Sequence, residues 1–93
     1  EEDANMIDIS QTENKYYISI TARNNKGVIG KIGTICAENN ISLASIVQKH
    51  ISDDNTAEIT VITEIASEAS MQNAINLIKQ DGNKINSLIR VQV

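Results

Sequence analysis

The densest chemistry in the chain lies in Asn24-Asn25-Lys26-Gly27-Val28-Ile29-Gly30-Lys31-Ile32-Gly33, which holds three of the four glycines. A turn feeding a helix N-terminus presents free backbone N–H groups beside the positive end of the helix dipole, and a glycine there lets a ligand approach the backbone closely. The chemistry expected of Gly27 and the helix N-terminus that follows it is capture of a carboxylate-sized anion. The same residues have a plainer reading, in which Gly27 merely permits the turn and Gly30 and Gly33 let the helix lie close on a sheet. The spacing is neither the dinucleotide G-x-G-x-x-G nor a phosphate loop ending in G-K-[ST].

Elsewhere the inventory is thin. His50 has no partner positioned in sequence for acid–base work, Cys36 falls on the apolar face of a helix and reads as core, and Met71 reads as packing. Asp53-Asp54 sits in a hairpin loop, where acids serve turn geometry. One cysteine and one histidine make neither an internal disulfide nor a Cys/His metal cluster, so no catalytic residue, metal or cofactor is expected in these 93 residues.

Residues 1–14 hold Glu1, Glu2, Asp3, Asp8 and Glu13 without a base and read as an acidic, polar linker or excised lead segment. The domain proper is expected over 15–93. There Tyr16, Ile18, Ile20 and Ala22 alternate with Tyr17, Ser19 and Thr21, the period of a strand with one buried face. Val28, Ile32, Ile35 and Cys36 then recur at helical spacing up to Asn39-Asn40. Ile41 to Ile51 is a second strand whose apolar register slips near Ala44-Ser45, predicting a bulge or strand end there. Ser52 to Asn55 forms a hairpin loop into a third strand bearing Ala57, Ile59 and Val61. Ser67 caps a second helix with Glu68 in its first turn and Met71, Ala74, Ile75 and Ile78 on its apolar stripe, ending at Asp81-Gly82. Ile85, Ile89, Val91 and Val93 mark the last strand.

The order β-α-β-β-α-β is two right-handed β-α-β units joined by a hairpin. Interleaved as 4-1-3-2, they give an α+β, ferredoxin-like sandwich: a four-stranded antiparallel sheet with both helices on one face. Strands two and four are then open edges, and one sheet face lacks cover, so self-association as a homodimer is expected.

Composition narrows the function. Seventeen isoleucines against two tyrosines, with no phenylalanine or tryptophan, supply an aliphatic core but no stacking platform for bases. Beyond residue 14, seven acids meet eight bases, so the basic footprint of a nucleic-acid binder is missing. The sequence contains no apolar run of membrane-spanning length, which together with the unpaired cysteine predicts a cytoplasmic, non-membrane setting.

The words Asn24-Asn25-Lys26-Gly27-Val28-Ile29, Ala37-Glu38-Asn39-Asn40-Ile41-Ser42 and Ala57-Glu58-Ile59-Thr60-Val61-Ile62-Thr63 occur in this element order. Together they resemble the ACT domain, a small-molecule-binding regulatory module of amino-acid metabolism. The Tyr16-Tyr17 strand, Ser67-Glu68-Ala69 helix start and terminal Ile89-Arg90-Val91 are most similar to the C-terminal regulatory domain of bacterial homoserine dehydrogenases. The resemblance implies an amino-acid effector, threonine first, bound at an interface between paired domains by Asn24, Asn25, Gly27, Val28, Ile29, Asn40 and Ile41. It also implies a parent enzyme whose separate catalytic domain uses NADP. Two positions depart from the pattern: Lys26 stands where the family has proline, and Asn24 is neutral where a carboxylate could pair with an ammonium. No acid lies close in sequence to the turn, and Lys26 and Lys31 do, so a neutral polar effector is expected over lysine. A non-sensing oligomerisation module is the alternative. Val28-Ile29-Gly30-Lys31-Ile32-Gly33 also looks like the I-G-x-x-G of an RNA-binding KH domain, but that loop joins two helices, whereas here a strand precedes it.

Overall fold

The computed structural model describes residues 12–23, 27–51 and 56–92. Residues 1–11 of the acidic lead, the Asn24-Asn25-Lys26 part of the first turn, the Ser52–Asn55 hairpin loop and Val93 lie outside the described residues, whereas Glu13 and Asn14, assigned to the lead from the sequence, open the first strand. Five strands and two helices follow in the order β1 (Glu13–Arg23), α1 (Val28–Glu38), β2 (Leu43–Ile51), β3 (Thr56–Thr63), β4 (Ala66–Ser67), α2 (Glu68–Gln80) and β5 (Lys84–Val91).

All pairings are antiparallel. Residues Tyr17 to Thr21 of β1 pair with β3 and also with β5, so those two strands must flank β1 on opposite edges. With β2 outside β3, the four long strands run β5-β1-β3-β2, the interleaved order that two β-α-β units require. The ferredoxin-like sandwich expected from the periodicity is therefore present, with a fifth strand added. That strand, β4, is two residues long and pairs Ser67 with Glu13 and Ala66 with Asn14. Two residues separate it from β3, too few to cross β1, so β4 continues the β3 line. Thr63 spans the break: its hydroxyl accepts from the Tyr16 N–H at 3.1 Å and donates to the Glu64 carbonyl at 2.7 Å.

Alternation along β1 buries Tyr16, Ile18, Ile20 and Ala22 beneath the helices, against Ala57, Ile59 and Val61 of β3. The apolar stripes of α1 (Val28, Ile32, Cys36) and α2 (Met71, Ala74, Ile75, Ile78) close the core from one side. Burying each large aliphatic contributes about 1.5–3 kcal/mol, which for a chain this short is the main source of stability. Cys36 is in that core, and burial pushes its thiol pKa up, so it packs as a small hydrophobe. Among the described residues no helix is long and apolar enough to cross a membrane.

Both edge strands carry register slips. The one foreseen near Ala44-Ser45 lies between Leu43 and Ser45, and β2 slips again between Gln48 and His50. On β5 the slip falls at Asn86, where Ser19 pairs with Ser87 but Ile20 with Ile85. Its consequence was hidden in the sequence. Ile85, Ile89 and Val91 share one parity, yet the inserted residue turns Ile85 and Leu88 toward the core and leaves Ile89 and Val91 exposed.

Ser67 caps α2 as expected, its side-chain oxygen accepting from the Ser70 N–H at 3.1 Å. Ser67→Ala should cost about 1 kcal/mol, the usual value of a serine cap. Urea unfolding checks it, and an unchanged midpoint would mean that water replaces the cap without loss.

The deepest polar feature is Glu68, only 3% exposed although charged. Its Oε1 accepts from the Tyr16 hydroxyl and Arg90 Nε, both at 2.9 Å, and its Oε2 accepts from Arg90 Nη2 at 2.6 Å and Gln72 Nε2 at 2.7 Å. The Arg90 guanidinium, assisted by Gln72 and Tyr16 and opposed by burial, holds the carboxyl down at about 2. Burial, reinforced by donation to Glu68, raises the Tyr16 phenol. The cluster ties β1, α2 and β5 together at the end of the sheet where α2 begins.

Candidate functional site

At the start of α1, Gly27 adopts φ 88°, ψ 1°, and its carbonyl accepts the first helical bond from the Lys31 N–H at 2.9 Å. A Cβ there would meet nothing within 4 Å, so glycine is required by the left-handed backbone and not by crowding. Among the described residues no side chain caps this end, and no acid occupies the first turn. Among the described residues the first-turn N–H groups at this positive end have no side-chain partner, an arrangement that suits an external anion.

The two helices of a ferredoxin-like layer follow antiparallel strands, so the C-terminus of α2 arrives beside the N-terminus of α1. Arg23, Val28, Lys31, Asp81, Gly82 and Asn83 line a depression of ≈ 300 Å³ between them. The α2 end is built as a tight stop. Gly82 takes φ 87° and donates to the Lys79 carbonyl at 2.9 Å, while Asn83 Nδ2 donates to the Ile78 carbonyl at 3.0 Å. Lys31 and Asp81 are exposed at the rim, so the depression combines the positive pole of α1, two cationic side chains, one carboxylate and the negative pole of α2. Both signs of charge thus line one depression, as the two ends of a zwitterion would require.

Arg23, Asp81 and Asn83 were not expected here. The expectation that no acid lies near the turn is corrected by Asp81, which is distant in sequence and reaches the rim because α2 runs back along α1. Gly82, read from the sequence as a helix stop alone, also lines the hollow. The lining still carries two cations to one acid, which keeps it unfavourable to a second ammonium.

Of the residues anticipated from the sequence, Gly27, Val28 and Ile29 lie together at this end, with Val28 buried and Ile29 half-buried. Asn24 and Asn25 lie outside the described residues. Asn40 and Ile41 lie at the other end of α1, whose 11 residues span about 16 Å. There Asn40 adopts φ 60° and donates to the Ala37 carbonyl at 3.2 Å, while the Ile41 N–H reaches the Cys36 carbonyl at 2.8 Å. This bond pair is a Schellman stop, and the buried Ile41 and Cys36 supply its hydrophobic contact. The Asn40 backbone is thus committed to ending the helix, and its exposed side chain borders a second hollow with Gly33, Ala37, Ser42 and Leu43. One chain does not bring the two groups together.

Comparison with known proteins agrees with this architecture. The family model described as "ACT domain" matches residues 16–83. A homoserine dehydrogenase of Neisseria gonorrhoeae is 28% identical over 74 residues, covering 80% of this chain and 17% of that protein. One from Helicobacter pylori is 40% identical over 60 residues, covering 64% of this chain and 14% of its own. The crystal structure of a homoserine dehydrogenase from Thiobacillus denitrificans superposes with a TM-score of 0.75 at 24% identity, over 97% of this chain and 20% of that one. The chain thus spans less than a fifth of the length of these curated relatives. With the family model covering most of the sandwich and the element order in place, the chain belongs to the ACT domain family.

Proposed function

We propose that this chain is the amino-acid-sensing regulatory domain of a homoserine dehydrogenase, binding threonine as a feedback effector. The observation that carries the reading is the depression in which the open N-terminus of α1, Arg23 and Lys31 face Asp81 and the C-terminus of α2. An α-carboxylate fits the first group and an α-ammonium the second. The chemistry of the parent, transfer of a hydride between NADP and homoserine, belongs to the remainder of a longer chain, since only a small part of the relatives is matched here. Control of the aspartate-derived pathway to threonine, methionine and isoleucine in the cytoplasm follows from that assignment.

Two copies improve the site. If two α1 helices meet antiparallel about a two-fold axis, the Gly27–Ile29 end of one lies beside Asn40 and Ile41 of the other, which reunites the groups that 16 Å separates within one chain. A homodimer would in this way complete the effector pocket.

Threonine should raise the melting temperature of the 93-residue chain. At ten times its dissociation constant the gain is about 1.4 kcal/mol, worth roughly 6–11 °C for a domain of this size. L-threonine should act more strongly than D-threonine or L-lysine. No shift at tens of millimolar L-threonine, with the protein folded, would remove the sensing reading. A non-sensing oligomerisation module would then be the better description.

A further inference from the structure

The first residues of β1 are tied to α2 before they are tied to the sheet. Pairing of β1 with β3 begins at Tyr17 and with β5 at Lys15, whereas Glu13 and Asn14 pair with Ser67 and Ala66, which lead directly into α2. The Glu68 N–H, the first of the helix, donates to the Thr12 carbonyl at 2.8 Å. Alternation of an antiparallel ladder then makes Asn14 and Ala66 the next hydrogen-bonded pair. The Glu68 carboxylate fastens this corner to the sheet through the Tyr16 hydroxyl and Arg90. At its other end α2 runs into Asp81, Gly82 and Asn83, all lining the charged depression. Its 13 residues span about 20 Å between the two ends. A helix of this length is marginal in water by itself, so it holds together while its buried stripe of Met71, Ala74, Ile75 and Ile78 stays docked.

We propose that α2 and the entry segment, residues 12–14, form one cooperative unit that docks on the sheet and releases from it as a whole, carrying occupancy of the depression to the point where the chain enters the domain. The middle of β1 lies outside the unit, because Ile18 and Ile20 are paired on both sides, with β3 and with β5. Releasing α2 strips Glu13 and Asn14 of their ladder partners, and pulling the entry segment away removes the bond that Thr12 makes to the first helical N–H. The two events therefore share one equilibrium, separate from global unfolding. The link to a ligand rests on the effector reading: a molecule held between the α1 N-terminus and the α2 C-terminus binds only the docked form and makes release rarer. By reciprocity, whatever steadies or pulls residues 12–14 changes affinity in the depression by the same factor.

Residue-resolved amide hydrogen exchange of the 93-residue chain tests it, with folding of the variant verified by circular dichroism. In the parent sequence the amides of Asn14, Ala74 and Ile75 should share one protection factor, at least about tenfold below that of Ile18 and Ile20. Gly82→Ala forces a Cβ into a backbone at φ 87°, at the far end of α2 from the entry segment. It should speed exchange about tenfold at Ile75 and by the same factor at Asn14. L-threonine at ten times its dissociation constant should slow both about elevenfold. An Asn14 amide that ignores Gly82→Ala while Ile75 responds overturns the proposal, since the entry segment then frays independently. Protection of Asn14 and Ile75 equal to that of Ile18 also overturns it, being the result of global unfolding alone, as does L-threonine slowing Ile75 but not Asn14. No response to L-threonine at any amide, with the common response to Gly82→Ala intact, rejects the effector reading and leaves the unit standing.

Discussion

Replacing Glu68 with glutamine should lower the stability of the domain by about 2–3 kcal/mol at neutral pH and flatten its response to acid. The carboxylate is buried, accepts four hydrogen bonds and is held at about 2 by Arg90. A folded-state pKa below the unfolded value means that the unfolded chain binds the proton more readily. The stabilisation is therefore complete above about pH 4.5 and is lost as pH falls toward 2. At about 1.4 kcal/mol per pH unit the interval is worth roughly 3 kcal/mol, trimmed because the Arg90 side chain is 46% exposed and partly screened. In the glutamine variant the amide presents donors to Arg90 and Gln72, which already donate, so the loss exceeds that of a surface pair. Urea midpoints measured from pH 7 to pH 2.5 decide the matter. A variant whose acid slope matches that of the parent sequence would assign the acid sensitivity to other carboxylates.

Gly27→Val should cost about 2 kcal/mol and lower the melting temperature by roughly 8–16 °C. The cost is conformational, since the site has room for a Cβ and only the φ of 88° excludes a branched side chain. On the proposed sensing role, the same substitution should also abolish stabilisation by L-threonine, because a branched residue shields the first-turn N–H groups. Gly27→Asn separates the two effects. Asparagine tolerates the left-handed region, so stability should largely return while the side-chain oxygen competes for the open N–H groups and weakens ligand stabilisation. If Gly27→Val melts with the parent sequence, the turn adopts another backbone in solution and the anion site is lost with it.

Most of the sandwich could be read before folding because the signals are local. The alternation from Tyr16 to Ala22, the helical stripes of α1 and α2, the Ser67 cap and the slip near Ala44-Ser45 each depend on neighbouring residues, and all reappear. The strand order followed from handedness and loop length, which are general rules and not features of this chain.

What tertiary structure alone decided was which distant polar residues would meet. As a sequence feature Glu68 is a first-turn acid worth a few tenths of a kcal/mol; it becomes a buried anchor because the fold brings Tyr16 from 52 positions before it and Arg90 from 22 after it. Asp81 reads as a helix stop until the antiparallel return of α2 sets it across from Lys31. The bulge at Asn86 reverses the faces of Ile89 and Val91, since one inserted residue rotates every later side chain by half a period and composition does not record it. Local patterning thus determined the elements and the candidate turn. The charge partners and the depression lined by both signs of charge emerged only from packing, because each depends on through-space distances that chain order leaves open.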